Sequence, residues 1–172
     1  CLNLYAEAQP QGAKTPISVH GVPGITTFAT CGVGPVRGFH MMGGLLYVMS
    51  GDRLYSVTDD TIPVVTNLGG AISGSGVVSK ADNDGQLMIA NGANGYIYSI
   101  ATGFQLVTDT DFVASNTVAF LDSYFVTDRV DTNEVAISGA YDGTTWSSTA
   151  YGTAESKSDR VLGVINQKQT LY

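Results

Sequence analysis

Two histidines and a few groups of acidic side chains are the residues of this sequence that could do chemistry. His20 and His40 are its only histidines, and neither has another His, Cys or Asp at the spacing of a metal-ligand set. Zinc and iron sites depend on several such ligands converging on one ion. We therefore interpret both histidines as structural residues that hydrogen-bond within the fold.

Two acidic clusters have the composition of a cation site. Asp82-Asn83-Asp84-Gly85 opens like a calcium loop, but no glutamate stands where a twelve-residue loop would need it. We interpret this stretch as a hairpin turn. The second cluster is Asp128, Asp131, Asn133 and Glu134, which we predict to be the solvated tip of a long hairpin.

A third candidate is the stretch Asp142-Gly143-Thr144-Thr145-Trp146. It resembles the Asp-box of sialidases, S-x-D-x-G-x-T-W, a turn between propeller strands, although its spacing is one residue short. The Asp-Gly pair predicts a tight turn, and Trp146 should pack that turn onto its sheet. Paired carboxylates for glycoside hydrolysis cannot be assigned, and the sequence has no nucleophile elbow or Ser/His/Asp set.

The glycine-rich stretch Gly69–Gly76 invites comparison with phosphate-binding loops. It lacks the lysine of a P-loop, and no helix is predicted after it to supply a dipole. We therefore assign no catalytic, cofactor-binding or metal-ligating residues. The sequence predicts a protein that is not an enzyme and uses no cofactor.

The strands that carry these residues are predicted from the pattern of the stretch Val36–Val57, which recurs along the chain. Gly43-Gly44 can adopt positive φ without steric cost, so it predicts a hairpin between Val36–Met42 and Leu45–Ser50. Gly51-Asp52 predicts a second turn, which leads into a strand at Arg53–Val57. The product is an antiparallel meander.

This meander recurs along the chain. Shifted copies are predicted at Val77–Ala81, Gln86–Asn91 and Tyr96–Ile100, then at Val118–Leu121, Tyr124–Asp128 and Glu134–Ser138, and last at Arg160–Ile165 and Thr170–Tyr172, with outer strands at Ile62–Asn67 and Phe104–Val107. Repeats of roughly 40–50 residues with a few short strands each are typical of propeller blades. We predict an all-β fold, a β-propeller-like array of antiparallel three- to four-stranded blades that is incomplete in this chain.

The predicted organisation has two parts. Residues 34–172 hold about three and a half blades, and residues 1–33 form an N-terminal extended segment that completes a blade, with strands at Leu2–Tyr5, Lys14–His20 and Ile25–Ala29. We expect the two strands of the fourth repeat to be covered by that segment or by a partner chain. The predicted core residues of the middle strands are Tyr47, Val48, Met88, Ile89, Phe125 and Val126.

Charge and composition exclude some classes of protein. A formal charge of −7, a pI near 4.4 and the lack of a basic run argue against a protein that grips nucleic-acid phosphates. An acidic channel surface repels DNA phosphates, so a duplex can still move past it without binding. No run of about eighteen apolar residues is present, so we expect no membrane partner.

The two cysteines do not make a disulfide framework. Whether Cys1 and Cys31 pair stays open. Because Cys1 runs directly into the apolar stretch Leu2–Tyr5, we expect it to be an internal residue of a longer chain.

As a whole the chain resembles the packaged-DNA stabilisation protein of short-tailed bacteriophages, the tail hub or nozzle. The stretches that carry the resemblance are Asn3–Glu7, Lys14–Pro16, Gly21–Ile25, Gly34–Gly38, Gly44–Val48, Leu54-Tyr55, Asp142–Trp146 and Ala154–Gly163. Their order and spacing cover nearly the whole chain. Members of the family are considerably longer than 172 residues, which implies that this chain is a fragment or an incomplete gene product.

The resemblance implies a structural virion protein without catalytic residues. It would assemble as a ring, expected to be a hexamer, below the portal and the tail adaptor, next to a tail fibre or tailspike. There it would retain packaged DNA and form the ejection channel, through which DNA passes without specific binding. It would be found in the virion tail, and in the bacterial cytoplasm during assembly.

The alternative is a carbohydrate-binding or sialidase-like glycosidase β-propeller. Such an enzyme needs an axial pocket in which arginines and carboxylates converge. The chain has only four arginines, Arg37, Arg53, Arg129 and Arg160. This scarcity favours the structural protein.

Overall fold

The fold is built entirely from β-strands over the part of the chain that can be described. The computed structural model describes residues 4–22, 24, 26–155, 159–167 and 170–171, and its regular structure there consists of sixteen strands. They are β1 (Leu4–Ala8), β2 (Ile17–Gly21), β3 (Val36–Met42), β4 (Leu45–Ser50), β5 (Arg53–Val57), β6 (Val65–Gly69), β7 (Ser79–Asp82), β8 (Leu87–Ala90), β9 (Gly95–Ser99), β10 (Gly103–Leu106), β11 (Val118–Leu121), β12 (Tyr124–Asp128), β13 (Glu134–Gly139), β14 (Asp142–Thr153), β15 (Asn166–Gln167) and β16 (Thr170–Leu171).

Twelve of these strands form three four-stranded sheets. Blade one has the order β3-β4-β5-β6, blade two β7-β8-β9-β10 and blade three β11-β12-β13-β14, and every neighbouring pair is antiparallel. Each blade is thus a meander in sequence order. The predicted fold class, a propeller-like array of antiparallel blades, is confirmed.

The turns of blade one lie where the glycines predict them. Gly43 and Gly44 have φ of 55° and 78°, and Gly51 has φ of 59°, a region that residues with a Cβ rarely adopt. Consequently β3, β4 and β5 have the bounds predicted from the sequence.

The core consists of two layers, one on each face of blade two. Leu87 and Ile89 of β8 face blade one, where they pack in a cluster with Tyr47, Met49 and Leu54. The alternate residues Met88 and Ala90 face blade three, in a cluster with Ile97, Phe125 and Trp146. Side chains of a strand point alternately to its two faces, so one fully buried strand serves both layers. All six predicted core residues are buried.

The blades meet along their first strands. Blade one contacts blade two through β3 and β7, and blade two contacts blade three through β7 and β11. The short strands β15 and β16 lie against β11. We call β3, β7 and β11 the inner strands.

Several predicted strand positions are wrong. Asp142-Gly143 is not a turn, because the chain turns at Ala140-Tyr141, where Tyr141 has φ of 55°, and Asp142 begins β14. The predicted strand Arg160–Ile165 is irregular chain, whose Val161 amide donates to the Thr132 oxygen (2.8 Å) and whose Val164 amide donates to the Thr117 hydroxyl (2.9 Å). Of the predicted strand Ile25–Ala29, residues 26–29 are irregular. In blade two the strands begin and end one or two residues from their predicted bounds.

Each end of the described chain carries a two-stranded hairpin. Strand β1 pairs with β2, and β15 pairs with β16, so within the described residues the N-terminal strands do not pair with the fourth repeat. Cys1 and Tyr172, and the start of the predicted strand Leu2–Tyr5, lie outside the described residues. The assignment of residues 1–33 to a segment that completes a blade stays a prediction.

One further feature concerns membranes. Within the ranges given above, no helix has the length and apolar character needed to cross a bilayer.

Candidate functional site

Three ionisable side chains converge in a groove of about 450 Å³ along the inner strands, which we call the inner groove. It runs from β3 across β7 to β11 and is bordered by the chain around Val164. Its polar side chains include His40, Lys80, Asp82 and Asn166. A groove with converging polar side chains is a candidate binding or active site.

His40 and Asp82 form a bridge between blades one and two in this groove. The His40 Nε2 atom lies 2.5 Å from Asp82 Oδ2, with both side chains about one quarter exposed. The sequence does not predict this pair, because the two residues are 42 positions apart. Only the packing of β3 beside β7 brings them together.

The other groups of the inner groove are engaged internally. Lys80 donates to the backbone oxygen of Val78 (2.9 Å), and burial lowers the pKa of its ammonium group. The Ser79 hydroxyl accepts the Val118 amide (3.1 Å), and Asn166 Nδ2 donates to the Phe120 oxygen (2.6 Å). Within the described residues, no three His, Cys, Asp or Glu side chains gather as a metal ion would require. These hydrogen bonds join neighbouring strands and loops of the groove.

Arg37 accounts for the glycine-rich stretch. Its side chain is buried, and its guanidinium donates to four backbone oxygens: Gly76 (2.7 Å), Gly51 (3.1 Å), Ile72 (3.1 Å) and Ser73 (2.9 Å). Three of these oxygens, those of Ile72, Ser73 and Gly76, belong to the glycine-rich stretch Gly69–Gly76. The loop therefore turns its carbonyl groups inward onto a cation, the reverse of a phosphate-binding loop, which turns amides toward an anion.

The Asp142–Trp146 stretch joins blade three to blade two. Asp142 Oδ1 accepts the amide and the hydroxyl of Thr144 (2.9 and 2.7 Å), and the Gly143 amide donates to Gln86 Oε1 (2.8 Å). Trp146 Nε1 donates to the Gly143 oxygen (2.9 Å), and its indole packs edge-on against Phe112. Trp146 is buried, as predicted, but the Asp142-Gly143 turn that it was predicted to pack onto its blade is instead the start of β14.

Hydrogen bonds set the acidity of two carboxyl groups at this junction. Burial raises the pKa of Asp142, but hydrogen bonds from Thr144, Gln86 and Thr145 outweigh that effect, so the pKa is lowered overall. Backbone amides of Asp111 and Trp146 lower the pKa of Asp109. Both groups are stabilised as carboxylates, which suits structural acceptors better than catalytic acids.

Asp128 is a residue whose role the sequence did not reveal. We predicted it at a solvated hairpin tip, but it is fully buried. Its Oδ1 accepts from Ser115 Oγ (3.0 Å), the Thr117 amide (2.6 Å) and Thr117 Oγ1 (2.9 Å), and Asn116 Nδ2 reaches Oδ2 (3.3 Å). The carboxylate thus fixes the chain that enters β11. Asp131, by contrast, is exposed and pairs with Arg160.

The Asp82–Gly85 stretch and His20 make hydrogen bonds with residues close to them in the sequence. Asn83 Oδ1 accepts the amides of Gly85 (3.0 Å) and Gln86 (2.6 Å), so that stretch is a hairpin turn, as predicted. His20 lies on β2, 2.7 Å from Ser18 Oγ, and stacks on Tyr5.

Comparison with known proteins adds the following. A family model described as "Bacteriophage P22 Gp10, beta-propeller" matches residues 1–172. A search of curated proteins finds no match.

Among solved structures, the chain is similar to the WD40 domain of Pan2 from Neurospora crassa. The identity is 10% and the TM-score 0.45, over 69% of this chain and 36% of that one, so the chain spans about a third of that structure. The family model covers the whole chain and describes a propeller, as the blades do. This chain belongs to the phage stabilisation family, the β-propeller family of bacteriophage P22 Gp10.

Proposed function

We propose that this protein is a structural component of a phage tail, which helps to retain packaged DNA and forms part of the channel for its ejection. The observation that carries the proposal is the match of the phage stabilisation family to residues 1–172. The protein acts in the virion, after assembly in the bacterial cytoplasm. Its partners are other copies of itself in a ring, the tail adaptor and portal, and a tail fibre or tailspike.

The use of polar side chains supports a structural role. His40–Asp82, Arg37, Gln86–Asp142 and Asp128 are all engaged within or between blades, at distances of direct hydrogen bonds. An enzyme would keep some of these groups free to meet a substrate. Hydrogen bonds within and between blades stiffen the array. A protein that closes a channel against the pressure of packed DNA has to be stiff. That the protein is not an enzyme and needs no cofactor is part of the same proposal.

The division of the chain belongs to the same proposal. Residues 34–172 supply the blades, and residues 1–33 supply the segment that completes one. The hairpin β1–β2 supports this role, because a two-stranded hairpin is only marginally stable in water without a surface to pack on.

The experiment that tests the proposal locates the protein in particles. Virions of a phage that encodes this chain are purified, and the protein is sought by mass spectrometry and then by electron cryomicroscopy of the tail. We expect a stoichiometric component with density for blades around the DNA path. Its absence from purified particles, or a clear hit on a glycan array or hydrolase panel, would favour a sialidase-like propeller instead.

A further inference from the structure

Two hydroxyl groups at the starts of the inner strands β7 and β11 make the same kind of hydrogen bond to a neighbouring chain. Ser79 is the first residue of β7, and its hydroxyl accepts the amide of Val118, the first residue of β11 (3.1 Å). Thr117 stands just before β11, and its hydroxyl accepts the amide of Val164 (2.9 Å). We call this bond the hydroxyl–amide contact.

Both hydroxyls face away from the preceding blade. Ser79 lies opposite Ala90, a residue of the core between blades two and three, so Ser79 points toward blade three. Thr117 donates to Asp128 Oδ1 (2.9 Å), and Asp128 stands three residues after Phe125, which packs toward blade two. Because side chains alternate along a strand, Asp128 and Thr117 lie on the other face of blade three. The two hydroxyls therefore hold equivalent places in successive blades.

Each donating valine also opens a hairpin of the same register. The second residue after the valine pairs with the seventh, and the third pairs with the sixth. After Val118 these pairs are Phe120–Phe125 and Leu121–Tyr124, and after Val164 they are Asn166–Leu171 and Gln167–Thr170. Strands β15 and β16 both lie against β11. We call residues 164–171 the docked hairpin.

Between blades one and two, a lysine fills the place of the hydroxyl. Gly38 stands where blade two has Ser79, since each lies opposite a core residue that faces the following blade. A Cβ on Gly38 would overlap the Nζ atom of Lys80. The two strands are joined there by the amide of Val78, which donates to the Arg37 oxygen (3.2 Å). The hydroxyl–amide contact is therefore a feature of blades two and three.

We propose that the docked hairpin takes the place of the first two strands of a fourth blade, held on blade three by the Thr117 hydroxyl as blade three is held on blade two by the Ser79 hydroxyl. Val164 is buried, as Val118 is, while the next three residues of the chain are exposed. A Cβ on Gly163 would lie 3.2 Å from Thr117 Cγ2, so the two chains approach closely.

The interaction surface is thus the inner edge of blade three, and its partner is a β-hairpin that begins with a buried valine. Repeated units of this kind contact only their neighbours, so bonds between first strands set the position of each unit relative to the last. Loss of one contact should loosen the unit that follows and leave the preceding one in place. This docking does not depend on the place of the protein in a virion.

Hydrogen exchange at single amides, measured by NMR, tests the two contacts separately. Thr117→Val should raise the exchange rate of the Val164 amide about tenfold or more and leave that of Val118 unchanged, because only one acceptor is lost. Ser79→Ala should do the reverse. Thr117→Ser keeps a hydroxyl and is the matched control, so the Val164 amide should stay protected.

A second variant leaves the bond between Thr117 and Asp128 intact. Val164→Pro removes the donating N–H, and the backbone order parameters of residues 165–167 should fall below about 0.6, the flexible range. Leu162→Pro, at a position that is 83% exposed, is its control and should leave them high. A Val164 amide that exchanges freely in the wild-type protein, a loss of protection at both valines in Thr117→Val protein, or an ordered hairpin in Val164→Pro protein would each overturn the proposal.

Discussion

Arg37 shows how a single buried cation can organise a loop. Its guanidinium has no carboxylate partner among the hydrogen bonds of the structure, and four backbone oxygens satisfy it instead. Three of those oxygens lie in the connection from blade one to blade two. Removing the side chain would leave buried carbonyl groups without donors, which is costly.

Arg37→Met is therefore expected to lower the free energy of unfolding by about 2–4 kcal/mol, measured by urea denaturation. Arg53→Met is the matched control. Arg53 also belongs to blade one, but its side chain is 48% exposed and its partner is Asp52 on the surface. It should change stability by no more than about 0.5 kcal/mol. Equal losses for the two variants would contradict the role assigned to Arg37.

Asp142 should make the stability of blade three sensitive to acid. Its folded pKa lies below the ordinary value of about 4. The stability that it contributes is therefore present above that ordinary value and is lost as pH falls through the folded pKa. Asp142→Asn should lower stability at neutral pH and flatten its fall below about pH 4. Asp60→Asn, in an exposed turn, controls for the change of charge. An unchanged acid profile for Asp142→Asn would count against this account.

At the scale of strands, the seam between blades two and three depends on a glycine. A Cβ on Gly143 would lie 2.5 Å from Ile97 Cδ1 and 3.1 Å from Phe125 Cδ2, inside the core between the blades. Its backbone amide also donates to Gln86. Strand β14 can approach β9 this closely only because the side chain is missing.

Gly143→Ala should accordingly cost about 1–3 kcal/mol through overpacking. Gly152→Ala on the same strand is the control, because its Cβ would meet only Val135 Cγ2, at an ordinary 3.4 Å. Thermal unfolding followed by circular dichroism compares the two. A Gly143→Ala protein as stable as the Gly152→Ala control would contradict this account, because it would show that the packing between blades two and three accommodates the extra methyl group.

Strands β3, β4 and β5 of blade one could be predicted to the residue, because Gly43-Gly44 and Gly51-Asp52 favour tight turns between them. The outer strand β6 begins three residues after the predicted Ile62, since no such turn precedes it. The start of β14 could not be predicted. Its turn uses Ala140-Tyr141, which carries no turn signal, while the neighbouring Asp-Gly pair does. The apolar run before β15 looks like a strand, but it docks as irregular chain through Val164.

Candidate residues were predicted least well where long-range packing decides. The burial of Trp146 could be predicted, because a large aromatic side chain in a sheet usually packs into the core. The pairing of His40 with Asp82 and the burial of Asp128 could not, because both depend on which strands and loops become neighbours. The spacing of residues along the sequence carries no information on the His40–Asp82 pair or on the burial of Asp128.

On the scale of the whole molecule, the charge predicts how the protein meets DNA. Fifteen acidic residues against eight basic ones leave a net charge of −7. Isolated protein at about 0.15 M salt should show no affinity for duplex DNA tighter than the non-specific range of roughly 10⁻⁴–10⁻⁶ M. Fluorescence anisotropy of labelled duplex across a salt series measures this. Sub-micromolar binding with a steep salt slope would reveal a basic face.

Retention of DNA is the central claim, and it can be measured in particles assembled without this protein. The quantity is the DNA per particle that survives nuclease treatment, compared between heads filled without the protein and heads filled in the presence of purified protein. We predict that depleted particles lose their DNA, and that heads filled in the presence of wild-type protein keep it. Equal protected DNA in depleted and complete particles would contradict the proposed function.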